Sequence, residues 1–183
     1  EVVGTTGEAP DSTILIQSVA DAEALDLPAD AKVAYITQTT LSVDETGEII
    51  TALRRRFPHI HAPRREDICY ATSNRQWAVK EMLGEIDLLL VIGSRNSSNS
   101  NRLVEVARQA GARSYLLQSA ADLDPKWLDG ARAVGVTAGA SGPEELVKEL
   151  LSALEAKGAR GIETLKVAEE RVQFSLPREL AAP

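Results

Sequence analysis

Small polar residues that could bind an anion are concentrated in the sequence DLLLVIGSRNSSNSNR, which spans residues 87–102. An apolar run of buried-strand length comes first, from Leu88 to Ile92, and Gly93 ends it. Hydroxyl and amide side chains then fill nearly every position: Ser94, Asn96, Ser97, Ser98, Asn99, Ser100 and Asn101. A helical pattern follows, and the N-terminus of a helix attracts phosphate oxygens through its unpaired N–H groups and dipole. We therefore predict an anion-binding loop, because the alternative, a simple helix cap at Ser97 or Asn99, explains only one of these side chains.

Two other loops have the same form, in which a strand is followed by small polar residues and a helix start. Thr39 and Thr40 follow a predicted strand at residues 32–37, and Ser141 follows one at residues 133–137. Ligands of α/β folds bind outside the carboxyl ends of the parallel strands. We therefore expect these two loops and residues 97–99 to contribute to one shared site.

The elements that must position these loops alternate between strands and helices. Further strands are predicted at residues 13–19, 88–92 and 114–117, and helices at residues 43–56, 72–83 and 143–156 and from the polar loop to residue 110. Ser42 with Glu45, and Ser141 with Glu144, have the spacing of helix capping boxes. The alternation predicts an α/β fold with mostly parallel sheets.

The remaining segments carry weaker signals. Residues 1–10 are interpreted as a loop or tail, residues 21–24 as one helical turn, and residues 125–128 as a short turn around Trp127. Residues 58–63, which contain His59 and His61, are interpreted as a linker, and residues 162–176 as one or two edge strands.

Composition excludes several classes of protein. A net charge of −7 and an aromatic content of 4% argue against nucleic-acid binding. No apolar run is long enough to cross a membrane, and no signal segment begins the chain. The single cysteine, Cys69, excludes an internal disulfide and favours a reducing compartment, so we expect a cytoplasmic protein.

Four segments together resemble one enzyme family. TQTTLSVDET at residues 37–46, DICYATSNRQ at 67–76, GSRNSSNSNRL at 93–103 and GVTAGAS at 135–141 are similar to 4-hydroxy-3-methylbut-2-enyl diphosphate reductases. The resemblance implies two similar small three-layer α/β domains, at residues 1–64 and 65–160, with C-terminal strands and a tail at 161–183. They would be part of a pseudo-threefold trefoil whose N-terminal part is absent from this chain.

The resemblance also implies an activity. These enzymes complete the non-mevalonate isoprenoid pathway by reductive dehydroxylation, which yields isopentenyl and dimethylallyl diphosphates. Thr39, Ser97, Ser98, Asn99 and Ser141 match positions that bind the substrate, and Cys69 matches one of three cysteine ligands of a [4Fe–4S] cluster. Glu1 matches a catalytic acid. The implied partners are the diphosphate substrate, a ferredoxin or flavodoxin electron donor and the missing N-terminal part.

This sequence also departs from the family pattern. The other two cysteines and the substrate-binding histidines of the family would lie upstream, and His59 and His61 match no histidine of the family. Because one thiolate cannot hold a cubane cluster, two alternatives stay open for the chain by itself. One is a diphosphate-binding module without redox activity, and the other is a scaffold fragment without a ligand.

Overall fold

The computed structural model describes residues 1–169 and residue 177. The α-helices are α1 (Val2–Glu8), α2 (Val19–Ala24), α3 (Val43–Arg56), α4 (Tyr70–Met82), α5 (Ser98–Gln109) and α6 (Glu144–Ala156). The strands are β1 (Leu88–Ile92), β2 (Arg113–Leu117) and β3 (Val134–Ala138). Short 3-10 turns lie at Pro10–Ser12, Ala120–Asp122 and Pro125–Leu128, the last of which confirms the predicted turn around Trp127.

The three strands form one parallel sheet in the order β2-β1-β3. Ile92, the last residue of β1, pairs with Leu117 of β2 and with Ala138 of β3. All five residues of β1 are buried, as expected for a central parallel strand covered on both faces. The loops that follow β1 and β3 therefore begin at the same edge of the sheet.

Helices cover both faces of this sheet and make a three-layer α/β unit. Val79 of α4 and Leu103 of α5 pack with Leu89 and Val91 on one face. Leu150 and Leu154 of α6 pack with Leu88, Leu90 and Ile92 on the other face. α5 and α6 each bury an apolar stripe, which is the usual way an amphipathic helix is stabilised by tertiary packing. α4 buries Val79 together with three polar residues. The predicted α/β class is confirmed.

The first sixty residues pack around a separate apolar cluster. Ala22 of α2 packs against Ala52, Leu53 and Phe57 at the end of α3. The Arg56 guanidinium donates to the carbonyls of Glu23 and Leu25, at the C-terminal end of α2. These contacts hold α2 against α3. The predicted division between domains at residues 64 and 65 stays a prediction.

The strand predictions for this N-terminal part are largely wrong. Residues 32–37 make only one parallel bridge, in which Ala34 pairs with His61. The Tyr35 N–H donates to the His61 carbonyl at 3.1 Å, and the His61 N–H donates to the Val33 carbonyl at 2.9 Å. Residues 13–17 are without regular structure, because an apolar segment becomes a strand only where a neighbour completes the ladder of hydrogen bonds. The linker interpretation also fails at His61, since its backbone takes part in this bridge.

Three further expectations need correction. Residues 2–8 are helical and not a loop, and within them the Thr6 hydroxyl donates to the Val2 carbonyl at 2.9 Å. Ser141 does not cap α6, whose N-cap residue is Pro143 without a side-chain hydrogen bond. Residues 161–169 form no strand, and the rest of the predicted edge strands, residues 170–176, lies outside the described residues.

No helix within residues 1–169 is long and apolar enough to cross a membrane.

Candidate functional site

The loop after β1 is held by its own side chains. The Ser94 hydroxyl accepts from the Asn96 N–H at 3.3 Å, and the Ser97 N–H donates to the Ser94 carbonyl at 2.9 Å. The Asn101 amide donates to the carbonyls of Arg95 and Ser97, each at 2.9 Å. Short polar side chains favour such local bonds to the backbone. The loop therefore presents residues 97–99 in a fixed conformation.

Ser97 is the N-cap residue of α5, so the capping alternative is correct for this side chain. Its Oγ accepts from the Ser100 N–H at 3.2 Å and from the Ser100 hydroxyl at 3.0 Å. A hydroxyl has two acceptor sites and one donor. Because Ser100 fills both acceptor sites, the remaining capacity of Ser97 is its O–H donor, which suits an anion. Capping and anion binding are therefore compatible at this residue.

Asn99 is the unusual side chain of the loop. It is only 6% exposed, and neither Oδ1 nor Nδ2 has a hydrogen-bond partner. A buried polar group without a partner costs about 1–3 kcal/mol, and each such group calls for an explanation. A ligand that accepts a hydrogen bond from this amide would provide one.

Ser100 connects this loop with the loop that follows β3. A Cβ added at Gly93 would lie 2.2 Å from the Ser100 Oγ, and one added at Gly139 would lie 2.1 Å from it. Ser100 is 1% exposed and lines an open pocket of about 230 Å³. Ser94, Gln118, Ser141 and Gly142 line the same pocket. Ser100 therefore links Ser97 with the pocket that Ser141 lines.

A second group of candidate residues lies at the start of α4. The Glu1 carboxylate accepts from the Thr39 hydroxyl at 3.2 Å and from the Gln38 amide at 3.3 Å. The Cys69 N–H donates to the Thr39 carbonyl at 3.0 Å. Glu1, Thr39 and Cys69 are all exposed. The structure therefore brings together an acid, a hydroxyl and a thiol that lie far apart in the sequence.

Two side-chain hydrogen bonds link α3, which follows the Thr39 loop, to α5, which follows the Ser97 loop. The Glu45 carboxylate of α3 accepts from Arg102 at 3.2 Å and from Gln109 at 2.8 Å, and both of these belong to α5. Ser98, in the first turn of α5, is exposed.

The functional roles stay predictions for all seven candidate residues, which are Glu1, Thr39, Ser97, Ser98, Asn99, Ser141 and Cys69.

The thiol of Cys69 is compatible with one bond to a metal cluster. It is exposed and is the N-cap residue of α4. Within residues 1–169 no three His, Cys, Asp or Glu side chains are grouped so that they could hold a metal ion. This chain therefore fits one of several ligands and not a complete cluster site.

Ser100 and Gly139 were missed by the sequence reasoning. Ser100 lies in the same polar run as Ser97, and nothing in a single sequence separates a hydroxyl that binds from one that orients its neighbour. Gly139 gave a visible signal, since a glycine directly after a strand often marks a close approach of other groups.

Comparisons with known proteins identify the family of this chain. The family model described as LytB protein matches residues 1–155, and the chain belongs to this family. A protein named 4-hydroxy-3-methylbut-2-enyl diphosphate reductase 2 from Bradyrhizobium diazoefficiens is 53% identical over 182 residues, which are 100% of this chain and 59% of that protein. The 4-hydroxy-3-methylbut-2-enyl diphosphate reductase from Streptomyces coelicolor is 52% identical to this chain. The match covers 98% of this chain and 54% of that protein.

A solved structure supports the same assignment. The E-1-hydroxy-2-methyl-but-2-enyl-4-diphosphate reductase from Plasmodium falciparum superposes with a TM-score of 0.89 at 33% identity. The match covers 97% of this chain and 57% of that structure. The chain therefore spans less than three fifths of the relatives that it matches.

Proposed function

We propose that this chain supplies the substrate-binding part of a 4-hydroxy-3-methylbut-2-enyl diphosphate reductase. This enzyme converts its substrate to isopentenyl and dimethylallyl diphosphates, in the last step of the non-mevalonate pathway. Membership of the LytB family and the names of the relatives support the assignment. The observation that carries it in this chain is the buried Asn99 amide without a partner, at the carboxyl end of β1.

The diphosphate is bound by neutral donors. Ser97 offers its O–H, Asn99 offers its amide, and Ser141 lies in the adjoining pocket with Gln118. Ser98 adds an exposed hydroxyl in the first turn of α5, where the helix dipole favours negative charge. Hydrogen bonds to a charged oxygen are each worth about 1.5–3 kcal/mol, so three or four of them suffice for specific binding.

The reacting end of the substrate lies towards Glu1, Thr39 and Cys69. The Glu1 carboxylate accepts a hydrogen bond from the Thr39 hydroxyl. After Glu1 takes up a proton from solvent, it can pass that proton through the Thr39 hydroxyl to the leaving hydroxyl, which departs as water. Cys69 supplies one of three thiolates to a [4Fe–4S] cluster. When it is bound, the cluster supplies the two electrons that, with two protons, convert the allylic alcohol into an alkene and water.

The remaining cluster ligands come from the portion of the enzyme that this chain does not span. Several large apolar side chains are exposed and suit contact with that portion, among them Val3, Ile36 and Trp77. The chain by itself is then inactive. A ferredoxin or flavodoxin donor and a cytoplasmic location are parts of the same proposal.

Asn99→Ala in the complete protein tests the diphosphate site. Binding of inorganic diphosphate, measured by calorimetry, should weaken about 10-fold to 150-fold, because one hydrogen bond to a charged oxygen is lost. Asn96→Ala is the matched control, since Asn96 is exposed in the same loop and its removal should leave the affinity unchanged. Equal affinities for Asn99→Ala and the unaltered protein would refute the assigned role.

Cys69→Ala separates the reductase from a binding module that lacks redox chemistry. The single cysteine of the chain is the observation in favour of the module. In the complete protein, prepared without oxygen, the reductase predicts loss of cluster iron and turnover with diphosphate binding retained. Unchanged iron content and turnover would show that Cys69 is not a ligand.

A further inference from the structure

One buried amide joins the loop that carries Thr39 to the helix that begins at Cys69. Gln76 lies about two turns into α4 and is 0% exposed. Its Nε2 donates to the Leu41 carbonyl at 2.8 Å, and its Oε1 accepts from the Val43 N–H at 3.0 Å. The side chain thus pairs with the backbone of residues 41–43 as a second peptide group would.

The same loop is attached to α4 at a second point. The Cys69 N–H donates to the Thr39 carbonyl at 3.0 Å. The loop then enters α3 at Ser42, whose hydroxyl accepts from the Glu45 N–H at 3.3 Å. Residues 39–43 are therefore held against a single helix at both ends.

We propose that Gln76 is a positioning residue that keeps residues 39–43 in register with α4. Gln76 thereby fixes the position of Thr39 relative to the Cys69 thiol. It also fixes the position of the Glu1 carboxylate, which Thr39 contacts. The inference rests on the proposed function for its catalytic consequence, although the backbone geometry stands independently of it. Gln76 touches neither the substrate nor the cluster in this scheme.

The chemistry of the side chain explains why glutamine serves here. A buried amide satisfies one carbonyl and one N–H without introducing a charge. Glutamate keeps the acceptor for Val43 but faces the Leu41 carbonyl with a carboxylate oxygen, and leucine leaves both backbone groups unpaired. The nearby ion pair between Lys80 and Asp44 is largely exposed on its acidic side, and such pairs contribute little.

The first experiment measures backbone hydrogen exchange in the complete, cluster-free protein. Gln76→Leu and Gln76→Glu should each speed exchange in residues 39–43 and at Cys69 about 10-fold or more, because the bonds that restrain this segment are lost. Val79→Ala is the matched control, since Val79 is 0% exposed on the same helix and packs only in the apolar core. It should destabilise the protein without selectively loosening residues 39–43.

A second measurement tests the catalytic consequence in the cluster-loaded protein. Gln76→Glu should lower kcat about 10-fold or more while KM for the diphosphate substrate stays within about 2-fold, because the reacting end shifts and the anion site does not. If the unaltered protein neither holds a cluster nor turns over, the proposed function fails while the exchange experiment still tests Gln76. The inference is wrong if residues 39–43 exchange alike in the Gln76 variants and in Val79→Ala.

Discussion

Gly139→Ala is the most informative substitution in the proposed anion site, because it acts on Ser97 without touching it. The added Cβ would lie 2.1 Å from the Ser100 Oγ but 3.4 Å from the Ser100 Cβ. A rotation of the Ser100 hydroxyl therefore relieves the clash while the backbone of α5 stays in place. That rotation breaks the 3.0 Å hydrogen bond to the Ser97 Oγ.

Two effects of known size follow from this rotation. The Ser100 hydroxyl is 1% exposed, so the loss of its partner should lower the free energy of unfolding by about 1–3 kcal/mol. Ser97 also loses one of the two hydrogen bonds that its Oγ accepts from Ser100 and that leave its O–H to donate to an anion. Affinity for inorganic diphosphate should fall about 2-fold to 13-fold, which corresponds to the net value of one neutral hydrogen bond, about 0.5–1.5 kcal/mol.

A double-mutant cycle with Ser100→Ala checks the cause. Without the Oγ atom nothing remains closer than 3.4 Å to the new methyl group, so Gly139→Ala in that background should change stability by less than about 0.5 kcal/mol. Gly47→Ala, in the interior of α3 with open space around it, is a control that should stabilise the protein by about 0.5–1 kcal/mol. Urea unfolding and calorimetry provide the measurements, and additive effects of the two substitutions would refute the reasoning.

Three further predictions concern stability. Asp87→Asn should destabilise the protein at neutral pH, because the N–H groups of Arg132 and Ala133 hold the pKa of Asp87 below its ordinary 3.8. The stabilisation by Asp87 is present above pH 3.8 and is lost as the pH falls through the folded pKa, so the difference should vanish in acid. Urea unfolding that shows an equal difference at pH 7 and pH 2 would contradict this prediction. Ser42→Ala should cost about 0.5–2 kcal/mol in chemical unfolding through loss of the α3 N-cap, whereas no measurable loss would show that the cap is dispensable. Leu150→Ala should cost about 2–5 kcal/mol, and a thermal midpoint equal to that of the unaltered protein would exclude the described packing of α6.

Sequence patterns predicted the helices and strands whose burial leaves a recognisable apolar pattern in their own residues. The apolar run of β1, the stripes of α3 and α5 and the glycine after α5 were all found close to the expected positions. Burial on both faces of a central strand leaves a continuous apolar signature. Amphipathic helices longer than ten residues leave an equally clear one.

The failures occurred where structure depends on distant residues. Residues 13–19 have the composition of a strand, but pairing requires a neighbour that a local pattern does not reveal. Residues 2–8 contain two glycines and two threonines and were not expected to be helical. For the site, the polar run after β1 was predicted, while the role of Ser100 was not, since it depends on how closely Gly93 and Gly139 approach in space.

The strand order has a consequence for the timing of assembly during translation. β1 is made first and is the centre of the sheet, so β2 can pair with it while later residues are still being synthesised. β3, which brings Gly139 against Ser100, is the last strand of residues 1–169 to leave the ribosome. Leu150 and Leu154 of α6 cover one face of β1, so β1 and β2 alone do not complete the core. The proposed anion site likewise requires the residues that follow β3. If the proposed site is correct, a diphosphate ligand stabilises the protein fully only after residues 134–142 have been added.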